Sequence, residues 1–193
     1  LNQSFSELPI HVRVALHVCG QGVPDLLAGE STVLGLVAMV GERSGRVQLN
    51  FNQAREPIDL DALRGFLDAN PALQVITQHN DANSHVWAAL QDAGNHAVLF
   101  DSSGGRGLLA GQWPQALNGV ACGYAGGLGC NNLDEQLEAI ASAAGPTSTW
   151  IDMEGSLRSQ DSEGHDWLSL AHCTDCLGIA SSYLHKGIAQ ALR

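Results

Sequence analysis

At 193 residues the chain is long enough for one domain with a real core. Nine basic against 20 acidic residues give a net charge of −11, which argues against nucleic acid and anionic membrane as partners. There is no apolar run of membrane-span length, Leu1-Asn2-Gln3-Ser4 does not open a basic leader, and five irregularly spaced cysteines read as reduced thiols. A cytoplasmic protein is therefore expected.

Short β-rich runs recur along the chain at Val12–Cys19, Arg46–Phe51, Leu73–Thr77, Ala97–Asp101, Val120–Ala125 and Thr149–Asp152. Their starts are about 23 to 34 residues apart, close to the 30 or so of a β-helix-β unit. Helices are predicted between them. Leu60–Ala69 places Leu60, Leu63, Phe66 and Leu67 on one face and is closed by Pro71, while His85–Asp92 stops at Gly94. Leu133–Ala144 follows Asn132, and Glu135 sits where a capping box needs it. Alternation without a hairpin signal predicts a parallel sheet. Leu168 to Arg193 reads as helix alone.

Three strand ends late in the chain carry glycine: Phe100-Asp101-Ser102-Ser103-Gly104-Gly105-Arg106-Gly107, Tyr124-Ala125-Gly126-Gly127-Leu128-Gly129 and Trp150-Ile151-Asp152-Met153-Glu154-Gly155-Ser156. Strand ends of this kind are where a parallel (βα)8 TIM barrel keeps its active site, with phosphate after the last strands. An open doubly wound sheet predicts a glycine fingerprint after the first strand, and Cys19-Gly20-Gln21-Gly22 is a poor version of it. The expectation is a single barrel domain over residues 1–193. About six βα units are visible, so the chain is expected to lack the first two, with a partner chain or fragment completing the sheet or an unusual partial barrel as the alternatives. Schiff-base aldolase chemistry is disfavoured, since Lys186 is the one lysine and no strand carries it.

The strand ends also supply the candidate site. Asp101 enters a flexible loop as a carboxylate; the alternative is an Asx turn that caps the loop. Gly126 and Gly127 precede a helix start, which favours phosphate, with close packing as the alternative. Gln48, Asn50 and Asn52 alternate with Val47, Leu49 and Phe51, so one set faces the barrel interior, where Gln78 and His79 are candidates to join it. The ordinary pKa of histidine suits His79 to a base role. His165, His172, Cys173 and Cys176 hold a lone Cys-x-x-Cys in a helical segment, which reads as core cysteines rather than a metal site.

In order and spacing these motifs resemble the phosphoribosylanthranilate isomerase family over about residues 46 to 160. Asp101 with its Gly104-Gly105-Arg106-Gly107 loop matches the sixth strand end, and Ala125-Gly126-Gly127-Leu128 with Asn131 matches the seventh. Asp152 to Arg158 matches the eighth loosely, and Val47-Gln48-Leu49-Asn50 matches the fourth with Asn50 in place of histidine. The resemblance implies a cofactor-free, metal-free isomerase of tryptophan biosynthesis that performs an Amadori rearrangement on a phosphosugar. Asp101 would be the general acid. Gly126, Gly127, Gly155 and Ser156 would cradle the phosphate. Gln48, Asn50, His79, Arg106, Asp152 and Arg158 would contact substrate. His17-Val18-Cys19-Gly20 imitates the family's base-bearing string and makes Cys19 the candidate base, but counting back places it on the third strand rather than the first. Glu154 departs from the family, because a carboxylate in a phosphate loop repels the ligand. The expected partner is a phosphorylated small molecule, with a homodimer left open. The alternatives are a non-catalytic or differently specific phospho-ligand-binding barrel and, from another class, a structural zinc module.

Overall fold

A computed structural model describes residues 14–41 and 45–185; Val12, Arg13 and Lys186 lie outside the described residues. The chain divides into two compact units, one up to Val98 and one from Leu99, so the boundary falls inside a strand. Six strands run in chain order: β1 (Ala15–Cys19), β2 (Arg46–Asn50), β3 (Gln74–His79), β4 (His96–Phe100), β5 (Ala121–Ala125) and β6 (Thr149–Asp152). In the first unit the strand order is β1-β2-β3-β4, and in the second β4-β5-β6.

The first unit is α/β with parallel pairing. Leu16 lies opposite Val47, Cys19 opposite Asn50, and Val47 opposite Val75. Between strands come α1 (Gly22–Leu27), α2 (Ser31–Gly41), α3 (Leu60–Ala69) and α4 (Ser84–Leu90). One sheet face, formed by Val18, Val47, Leu49 and Val75, packs on Val23, Leu26, Val37, Leu63, Phe66, Leu67, Val86 and Leu90. Periodicity finds α3 because its apolar residues share one stripe, and Asp59 caps it by accepting from the N–H groups of Asp61 and Ala62 at 2.9 and 3.1 Å. It misses α2, whose run from Val33 to Val40 is apolar without a break except Gly35. The Nδ2 of Asn95 donates to the carbonyls of Leu67, Asn70 and Leu73 at 3.0, 3.0 and 3.1 Å, pinning the corner between α3 and β3.

In the second unit β5 pairs with β6 in parallel, Cys122 opposite Thr149 and Ala125 opposite Asp152. Helix α5 (Leu133–Ala144) buries Leu133, Leu137, Ile140 and Ala144. Tyr124 stacks between Phe100, tilted with centroids 5.3 Å apart, and Trp113, edge-on at 5.9 Å, while its hydroxyl donates to the Pro114 carbonyl at 3.1 Å. Burial pushes this phenol up to about 12.

Two sequence expectations change here. Asn132 occupies the N-cap position of α5 but makes no capping bond. Its side chain accepts from Gly129 N at 3.0 Å and donates to the Gly127 carbonyl at 2.9 Å, so it holds the preceding loop instead. The expected lack of a hairpin also fails: the tail is helix over Leu170–His185 (α6) as expected, but ahead of it, after a 3-10 turn at Gly155–Leu157, β7 (Arg158–Gln160) and β8 (Asp166–Leu168) form an antiparallel hairpin. Its strands have three residues each and stay half-buried or exposed, too short and polar for an alternation signal.

The buried His96 has a measurable consequence. It is 4% exposed, its Nε2 lies 2.8 Å from Thr77 Oγ1, and its Nδ1 has no partner among the described residues. Burial, with a smaller contribution from nearby His79, lowers its pKa to about 4. The unfolded chain therefore binds a proton near pH 6.5 that the native state refuses. Stability from this site is complete above pH 6.5 and declines as pH falls toward 4, by about 3 kcal/mol in all. Urea midpoints across that range should drop for the wild type, and the drop should be shallower in His96→Gln.

Candidate functional site

In the first unit the parallel register sets a polar row on the sheet face opposite the helices. His17 lies opposite Gln48 and Gln48 opposite Ile76, with Cys19 opposite Asn50 one pleat higher. The same alternation brings Gln78 onto the face of Asn50. The Nε2 of Gln48 donates to Asn50 Oδ1 at 3.4 Å, and Cys19 is an exposed thiol. Thus Cys19, Gln48, Asn50 and Gln78 share one face. His79 does not join them, because it follows Val75 and Thr77 onto the helix-packed side. Half-buried there, its imidazole is lowered below the ordinary histidine range by burial. Asn83, fully buried, anchors the loops that follow β2 and β3. Its Nδ2 donates to the carbonyls of Phe51 and Gln78 at 2.8 and 3.2 Å, and its Oδ1 accepts from Gln53 N at 2.9 Å.

In the second unit three strand ends converge. Asp101, 4% exposed, follows β4 and accepts three hydrogen bonds from its own loop. Ser103 N and Ser103 Oγ donate to Oδ1 at 3.1 and 2.7 Å, and Gly105 N donates to Oδ2 at 2.7 Å. Arg106 closes the same turn, with Nε donating to the Ser103 carbonyl at 2.7 Å. This is the Asx-turn arrangement, enlarged by a second carboxylate oxygen.

The glycine loop after β5 lies against the loop after β4. A Cβ on Gly126 would sit 2.9 Å from the Leu108 carbonyl oxygen and 3.3 Å from Asp101 Oδ1; one on Gly127 would overlap the backbone of Leu109, with its Cα at 2.7 Å. The close approach at these two glycines is therefore to protein backbone. Gly129 in turn meets Ser156, whose hydroxyl donates to the Leu128 carbonyl. The loops after β5 and β6 are neighbours, as the phosphate reading requires.

The remaining candidates are placed less favourably for an anion. Arg158 begins β7, and its Nε donates to both carboxylate oxygens of Asp166 at 2.7 and 2.8 Å. Gly155 borders open space, Glu154 beside it is exposed, and Asp152 is half-buried opposite Ala125 at the end of β6. Asp134 and Glu135 occupy the first turn of α5, where they already complement the helix dipole that a phosphate would use. Sequence reasoning missed Ser103 and the Leu108-Leu109 backbone. An Asp-x-Ser ahead of glycines is a visible Asx-turn signal, whereas the fold-back of residues 108–109 leaves none.

No protein-family model, curated protein or solved structure matches the chain.

Two substitutions separate packing glycines from open ones. Gly127→Ala meets both a positive φ of 66° and the Leu109 backbone, and should cost about 2 kcal/mol or more in urea unfolding. Gly155→Ala meets nothing and should stay within about 0.5 kcal/mol of wild type. Asp101→Asn should itself destabilise by about 1–3 kcal/mol, because one amide position would oppose an N–H donor.

Proposed function

We propose that this chain is a phosphosugar isomerase of the phosphoribosylanthranilate isomerase type, on a (βα)8-barrel plan, acting in the cytoplasm without a cofactor. The observation that carries this reading is the loop cluster of the second unit. Its successive strand ends supply a carboxylate at Asp101, a glycine loop leading into α5, and Ser156 seated on that loop. An Amadori rearrangement needs a proton delivered to the ring oxygen and another removed from C2. Asp101 is assigned the first step. Arg106, Asp152 and Arg158 of the same unit are assigned to substrate, and Gly126, Gly127, Gly155 and Ser156 to its phosphate.

A second reading, a phospho-ligand-binding protein without turnover, is favoured by one observation: donors from its own loop already engage both carboxylate oxygens of Asp101. Turnover of phosphoribosylanthranilate by the purified chain, and rescue of a tryptophan auxotroph lacking this isomerase, test the first. Asp101→Asn should then lower kcat per folded molecule by about 10²–10⁴-fold. Phosphate-induced amide shifts at Gly126, Gly127, Gly155 and Ser156 without turnover would favour the second. Neither turnover nor shifts would remove both.

A further inference from the structure

Two cysteines far apart in sequence meet in the second unit. Cys130 lies in the loop after β5, three residues before α5, and Cys176 is on α6. Their Sγ atoms are 2.7 Å apart, and the Cys130 thiol also reaches the His172 carbonyl at 3.2 Å. That places the Cys130 sulfur against the α6 backbone one turn before Cys176. Cys176 is 2% exposed, while Cys130 and Cys173 are half-buried. Cys130 is therefore the more accessible residue of the pair and Cys176 the shielded one.

We propose that Cys130 and Cys176 are a reversible oxidation site, forming an internal disulfide that ties α6 to the loop after β5. With hydrogen peroxide as the oxidant, the Cys130 thiolate attacks one peroxide oxygen, the O–O bond breaks, and hydroxide leaves and takes up a proton to become water. The resulting sulfenic acid is attacked by the Cys176 sulfur, which loses its proton; the S–O bond breaks, the S–S bond forms, and a second water departs. Two thiols lose two electrons and two protons, and one peroxide becomes two waters. The geometry supports this order, since the oxidant meets the less buried residue first. Burial first, then the Cys130 hydrogen bond and neighbouring negative charge, push the Cys176 thiol up to about 12. Cys176 is thus held as the neutral thiol, which suits the resolving role better than the initiating one. Cys173, one helical turn from Cys176, is the competing partner. The link spans 46 residues, so it constrains much of the second unit in the unfolded chain.

The test uses the full chain, reduced, freed of reductant, treated with hydrogen peroxide, alkylated and digested without reduction. Fragment mass spectra should show a Cys130–Cys176 cross-link in the wild type, in Cys122→Ser and in Cys173→Ser, and none in Cys130→Ser. Dithiothreitol should remove it. The oxidised wild type should melt roughly 5–10 °C above the reduced form, with no such rise in Cys130→Ser. Five thiols still alkylated after peroxide, a Cys173–Cys176 link as the sole product, or stoichiometric zinc on the purified chain with its thiols protected would each overturn the proposal. The wild-type map needs no variant to fold, so a misfolded Cys130→Ser leaves the test intact.

Discussion

Parallel pairing is the constraint on which the rest of this structure depends. When neighbouring strands run the same way, their C-terminal ends fall on one edge, and residues at matching register share a face. In the first unit this makes Cys19, Asn50 and Gln78 neighbours although α1, α2 and α3 separate them in sequence. In the second it places the loops after β5 and β6 side by side, so that Ser156 seats on Leu128 and Gly129.

The polar groups at these edges mostly serve two masters. Asn83, Asn95 and Asn132 each use a side-chain amide to bond backbone carbonyls in loops or near the ends of strands and helices. Without such partners, buried carbonyls and N–H groups would each carry a desolvation cost of about 1–3 kcal/mol. Asp101 does the same work with a carboxylate. Any chemistry asked of it must therefore coexist with the turn from Ser103 to Gly105, a stricter requirement than a free carboxylate would face.

Much of the architecture was legible along the chain. All six parallel strands were expected within a few residues of where they lie, as were α3, α4 and α5, because period-two and helical apolar patterns survive wherever one face is buried. The signal failed where that condition failed. In α2 the apolar residues run on without polar interruption, and in β7 and β8 three residues per strand are too few to alternate. For the site, strand-end position was readable in Asp101, Gly126 and Asn50, but the direction of His79 was not obvious until β3 had an exact length.

By itself the sequence determined the class: an acidic α/β chain with parallel strands and glycine-rich strand ends, since composition and periodicity depend only on which faces must leave water. Tertiary structure alone decided what those ends touch. A glycine permits close approach without naming the approaching atom, and the backbone of Leu108 and Leu109 fills that place at Gly126 and Gly127. The meeting of Cys130 with Cys176 was equally invisible, because distance along the chain carries no information about which helix packs against which loop.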